Sequence, residues 1–118
     1  MRWTATLLAL ILPGVLVAQE TTNAQAAMVR ALDKMTGAVV DLEIPAGQVQ
    51  RFGRIEITVQ ECRFPTNNPA GDAYVLMNIR EIDDQDAAFF GWMVASSPAL
   101  NALDHARYDV WALRCITS

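Results

Sequence analysis

The chain reads as all-β: a small antiparallel β-sandwich or partly open barrel of about six to seven strands, with one short helical turn near 98–103. Three observations predict this. Apolar and polar residues alternate with period two in several short runs, most cleanly from Arg54 to Gln60. Turn signals rich in Gly, Pro, Asn and Asp recur at roughly ten-residue spacing. A chain of 118 residues has room for one domain built this way.

The first 18 residues read as a signal peptide rather than as part of that domain. Met1-Arg2 is a short positive start, and an apolar run from Leu7 reaches Val17, broken at Pro13-Gly14. The run is too short and too broken for a comfortable membrane span, and an uncleaved N-terminal anchor is the alternative reading. Cleavage is expected after Ala18, with Ala24-Gln25-Ala26 as a second site. Residues 19–27 are polar and small and read as a disordered leader, so that a single all-β domain occupies 28–118. The expected location is the periplasm, with no stable membrane span after cleavage.

From Ala27 to Leu32 the composition suits helix or strand. The hairpin turn signalled by Asp33 to Gly37 favours strand. Ala38 to Ile44 alternates, with Val40, Leu42 and Ile44 on one face and Asp41 and Glu43 on the other. Pro45-Ala46-Gly47 turns the chain, and Gln48 to Phe52 is a short strand ended by Gly53. In the next strand Ile55, Ile57 and Val59 face inward, which leaves Cys62 on the outward parity. A buried bridge at Cys62 therefore requires a bulge near Gln60-Glu61. Phe64 to Asp72, with two prolines, two asparagines and a glycine, reads as the longest loop.

Tyr74 to Ile82 follows as a strand with Val75, Met77 and Ile79 inward. Asp83-Asp84-Gln85-Asp86 is a solvated turn, since calcium needs more oxygen ligands at defined spacing. Phe89 to Ala95 is apolar on both parities, so it is buried on both sides or presents one side to a partner. Ser97-Pro98 ends it, with Ser96 or Ser97 as N-cap of the helical turn. Tyr108 to Cys115 is the last strand, with Trp111, Leu113 and Cys115 expected on one face. Consecutive hairpins suggest a mainly antiparallel meander.

Nine basic residues stand against thirteen acidic ones, and losing Arg2 with the leader brings the net charge near −5. An acidic domain with scattered arginines lacks the basic stripe that nucleic acid requires. The two cysteines, Cys62 and Cys115, suggest a disulfide in an exported chain. With one histidine they make an incomplete zinc set.

Several stretches resemble a known family. Leu32 to Gly37, Pro45-Ala46-Gly47, Arg51-Phe52-Gly53 and Cys62 resemble the first half of the alphaproteobacterial domain-of-unknown-function family numbered 2155. Phe90 to His105 and Tyr108-Asp109-Val110-Trp111 through Cys115 resemble its second half. The resemblance covers about residues 28–115. This chain has Ala106 where the family usually has proline, and Arg114 where it often has an acidic residue. Membership implies an uncharacterised exported single-domain protein with Cys62 paired to Cys115, and implies no reaction. In the family such genes often sit near one for an accessory subunit of respiratory complex I.

For chemistry, His105 is the sole candidate general base, with Ser96, Ser97, Asp104 and Asp109 as companions. No Gly-x-Ser-x-Gly elbow is present, and a serine nucleophile needs one strained turn and an oxyanion donor pair. No catalytic residue, cofactor or metal is therefore assigned. Trp92 and Trp111 read first as core residues on neighbouring strands. The functional reading is an interaction surface. It comprises Phe89, Trp92 and Met93 on the strand, Ser97, Pro98, Leu100, Asn101 and Leu103 on the loop, and His105 beyond it. The expected role is a non-enzymatic interaction or accessory module of an envelope or respiratory assembly, its partner an unidentified envelope protein. The alternatives are a small periplasmic hydrolase or ligand-binding protein centred on His105, and a purely structural envelope protein.

Overall fold

The computed structural model describes residues 20–117. The signal-peptide reading of residues 1–18 lies outside them. The described residues form eight strands: β1 (Thr21–Asn23), β2 (Ala26–Asp33), β3 (Val39–Pro45), β4 (Gln48–Phe52), β5 (Ile55–Pro65), β6 (Tyr74–Glu81), β7 (Phe89–Val94) and β8 (Tyr108–Ile116). A 3-10 turn, Pro98–Leu100, is the single helical element among the described residues. The strands form two antiparallel sheets. One is built on β5, β6 and β7, with β1 and β4 both pairing along the outer side of β5; the other has the order β3-β2-β8. The all-β class expected from the sequence is the one observed; of the two expected forms, sandwich and partly open barrel, it is an open sandwich, and it has eight described strands where about six to seven are expected.

The core lies between the sheets. Ile55, Ile57 and Val59 of β5 and Val75, Met77 and Ile79 of β6 are fully buried. Ala27, Val29 and Ala31 of β2 and Tyr108, Val110 and Ala112 of β8 face them from the other sheet. Small alanines on that side let the sheets close over the larger isoleucines. The expected bulge in β5 is present. Val59 pairs with Met77 and Glu61 with Leu76, so Gln60 is the extra residue and Cys62 turns inward. Cys62 is bonded to Cys115 with a Cα–Cα distance of 5.7 Å, joining the two sheets covalently.

The structure differs from the sequence reading at several points. The polar stretch expected to be a disordered leader is paired from residue 21: Thr21, Thr22 and Asn23 lie against Pro65, Phe64 and Arg63. Backbone hydrogen bonds hold it, since Ala24 N–H donates to Cys62 O (2.7 Å) and Thr66 N–H to Glu20 O (3.0 Å). This pairing needs no alternation of apolar side chains. The loop expected from Phe64 is shorter, because β5 continues to Pro65.

The face of β8 is reversed. Tyr108, Val110 and Ala112 point inward, and Trp111 and Leu113 lie half-buried on the other side. Met28 pairs with Arg114 and Val29 with Ala112, so Leu113 is a second bulge, and it brings Cys115 back to the core. β7 and β8 belong to different sheets, so Trp92 and Trp111 are not neighbours within one sheet, and neither is a core residue. In β3 only Ile44 is buried; Leu42 is half-buried and Val40 exposed, because this edge strand peels away from the core. A meander holds for β4-β5-β6-β7, whereas β8 returns across the sandwich to pair with β2.

Candidate functional site

Two regions collect the residues singled out above. The first is the outer face of β7 with the turn after it. Both parities of β7 are apolar, and the fold chooses between them: Phe89 (8% exposed) and Met93 (3%) go into the core, as does Leu103 (6%) from the loop. These three residues are therefore not part of an exposed surface. Burial of the Phe89 side leaves Phe90, Trp92 and Val94 outward. Phe90 is 60% exposed and Leu100, on the 3-10 turn, 74%.

Register extends this face onto β6, where Tyr74 pairs with Val94, Leu76 with Trp92 and Asn78 with Phe90. The Arg63 guanidinium lies 5.1 Å from the Trp92 ring centroid, a cation–π contact, while its Nη2 donates to Glu61 Oε1 (3.1 Å). Thr21, Arg63, Tyr74 and Trp92 line a shallow cleft of about 380 Å³. Asn101 ties the turn to the strand, its Nδ2 donating to Trp92 O (2.9 Å). A Cβ on Gly91 would come within 2.9 Å of that amide nitrogen. Ser97 and Pro98 are exposed, and Ser97 makes no side-chain cap. Ser96 does not cap either; its Oγ donates to Asp72 Oδ2 (2.7 Å).

The second region is the end of the sandwich where His105 sits. Its Nε2 lies 2.7 Å from Glu81 Oε1, and its Nδ1 accepts from the backbone N–H groups of Arg107 (2.9 Å) and Tyr108 (3.2 Å). A ring nitrogen that accepts carries no proton, so the geometry puts the proton on Nε2 and has it donate to Glu81. Both nitrogens are thus committed to shaping the turn into β8. Ser96 and His105 are anchored by Asp72 and Glu81, which flank opposite ends of β6. At the rise of an antiparallel strand they are on the order of 25 Å apart, so no serine–histidine pair forms. Among the described residues no group of three or more His, Cys, Asp and Glu side chains is placed to hold a metal.

Beside His105 lies a cluster that the sequence reading did not assemble. Asp33 falls on the inward face of β2 and is buried. Arg107 meets it with Nη2 at 2.9 Å and Nε at 3.2 Å, and Met35 N–H donates to Asp33 Oδ1 (2.9 Å). The guanidinium, opposed by burial and aided by the Met35 amide, holds the Asp33 carboxyl down at about 2. Lys34 Nζ donates to His105 O (2.7 Å), and Tyr108 stacks under Arg107 with 5.1 Å from guanidinium carbon to ring centroid. A charged residue on an inward parity was the available signal, since a buried carboxylate requires a partner.

Asp33 predicts an acid dependence. Its folded-state value lies below the ordinary carboxylate range, so the unfolded chain takes up the proton first as pH falls. Its contribution to stability is present above about pH 4 and lost as pH drops through about 2. Thermal melts of wild type and Asp33→Asn across this window should converge toward the acid end. Parallel curves would contradict the assignment.

Known proteins place the chain without adding a reaction. The family described as uncharacterized protein conserved in bacteria (DUF2155) matches residues 27–115. An uncharacterized protein of Rickettsia prowazekii (strain Madrid E) is 34% identical over 88 residues, which cover 72% of this chain and 57% of the relative. The chain thus spans little more than half the length of that relative. No solved structure matches. Over β2 to β8, the stretch that carries both sheets, the bridge and the His105 end, the chain belongs to the DUF2155 family of uncharacterized bacterial proteins.

Proposed function

We propose that the protein is exported to the periplasm and acts there as a non-enzymatic interaction module, accessory to an envelope or respiratory assembly. The observation that carries the reading is a pair of exposed apolar side chains: Phe90, on the outer face of β7 with half-buried Trp92, and Leu100, on the turn that Asn101 ties to that strand. Single exposed apolar residues are ordinary, but aromatic and aliphatic groups grouped around a tryptophan and an arginine are the composition of an interface centre. The leader pattern of residues 1–18 and the Cys62–Cys115 bridge support export. The commitment of both His105 nitrogens to the loop favours binding over hydrolysis.

The test is crosslinking and affinity purification of the tagged chain from its own cell envelope. Three forms are compared: wild type, Phe90→Asp with Leu100→Asp, and Val49→Asp on the distant, exposed β4. A partner recovered with wild type and Val49→Asp should fall at least about tenfold with the double variant, as for residues central to an interface. Equal recovery in all three forms overturns the surface, and absence of the chain from the periplasmic fraction overturns the location.

A further inference from the structure

We propose that a second copy of the chain adds across the free edge of β8, antiparallel, with the two-fold axis at Trp111. An exposed sheet edge is a template for another strand, and most edges here are blunted. β1 has three residues; β3 carries Asp41 and Glu43 and ends in Pro45; β4 is short and holds Arg51. On β7 the Asn101 amide occupies the Trp92 carbonyl. β8 differs. It runs nine residues without proline or glycine, and its described pairing partner is β2 alone.

The phase of the ladder fixes what this edge offers. Lys34 N–H donates to Arg107 O (2.8 Å), and Tyr108 N–H turns away to His105 Nδ1. Alternation along an antiparallel pair then aims the backbone groups of Tyr108, Val110 and Ala112 at the free edge. A two-fold axis at Trp111 pairs Val110 with Ala112 of the second copy through these groups. It sets the two Trp111 residues opposite each other at a close, non-hydrogen-bonded position on the outer face.

Charge agrees with this register. Asp109, which already holds Lys34 of its own chain at 3.6 Å, comes opposite the Leu113–Arg114 bulge of the second copy, so each carboxylate gains a second cation across the axis. Space agrees as well. A groove of about 550 Å³ runs along Leu113 to Thr117, walled by Pro69 and Ala70. It takes the incoming start of the second copy's β8. The product is a continuous six-stranded sheet made of two three-stranded ones.

The experiment is light scattering of the oxidised protein with site-directed crosslinking. Wild type should have twice the monomer mass. Trp111→Cys should give a covalent dimer on mild oxidation, because facing residues at a non-hydrogen-bonded position lie about 4.5 Å apart at Cα, within disulfide reach. Gln50→Cys on the exposed β4 should crosslink at least tenfold less. Trp111→Glu, which sets two carboxylates face to face, should shift the mass to monomer while the circular dichroism stays unchanged. A monomer at every concentration up to about 1 mM, the weak limit of specific association, overturns the proposal. So does a dimer that crosslinks through Phe90→Cys and not Trp111→Cys, which would move the contact to the outer face of β7.

Discussion

Replacing both bridge cysteines, Cys62→Ala with Cys115→Ala, is expected to lower stability by about 4 kcal/mol, the chain-entropy value for a loop of this size. The two sulfurs are 53 residues apart in sequence and join β5 to β8, one strand from each sheet. The sheets meet otherwise through a core in which one side is largely alanine and valine, so the covalent tie is a large fraction of what holds them together. For a domain of about 100 residues the melting temperature should drop by roughly 15–30 °C. Urea titration of oxidised and bridge-free forms checks the free energy directly. A difference under about 1 kcal/mol would show that the sheets pack well enough without the bond.

Tyr108→Ala should cost about 3–5 kcal/mol, the range for deleting a buried aromatic side chain. Tyr108 is the largest fully buried residue among those described. Its ring meets Phe52 edge-on with centroids 5.8 Å apart, and its hydroxyl accepts from Arg54 N–H (3.0 Å). It thereby joins the turn after β4 in one sheet to the start of β8 in the other. Gly53 is fitted to it from the opposite side, with φ at +55° and room for no Cβ: one would lie 2.5 Å from the tyrosine oxygen. Tyr108→Phe separates the ring from the hydroxyl. It keeps the packing and leaves the Arg54 amide without its acceptor, for a cost of about 1–2 kcal/mol. If Tyr108→Phe were as damaging as Tyr108→Ala, the hydrogen bond and not the packing would be the main contribution. Denaturant melts of the two variants decide between them.

Much of this architecture could be read from residue order alone. Alternation located β5 and β6 because each has one fully apolar parity, and the parity of Cys62 demanded the Gln60 bulge that the fold contains. The same reasoning failed on β8. Strict alternation puts Trp111 and Leu113 on the face of Cys115, which is the core face in the fold. The bulge at Leu113 reverses that parity, and Asp109, on the same side as Trp111, was the residue that marked it. β7 could not be resolved by pattern, because both of its faces are apolar and only packing against the second sheet selects Phe89 over Phe90. β1 left no pattern to read, since backbone pairing and one Thr22–Thr66 hydroxyl contact, not apolar burial, hold Thr21 to Asn23. At the site level, the legible part was the apolar strand followed by a compact turn. The Asp33–Arg107 pair was not, because it joins the last residue of β2 to the residue just before β8, 74 positions along the chain.

That last pairing has a consequence for how the molecule comes to be folded. β2 is the centre of its sheet, yet one of its two neighbours, β8, is supplied by residues 108–116. Pairing Ala26 with Ile116 encloses nearly the whole described chain, so the transition state must close a long loop before this contact gives anything back. Until then β2 and β3 stand as a lone hairpin, which is marginal in water, with the apolar side of Ala27, Val29 and Ala31 open. The kinetic bottleneck of the domain is therefore the arrival of β8, and the interval before it is when the nascent chain is most exposed to wrong strand partners.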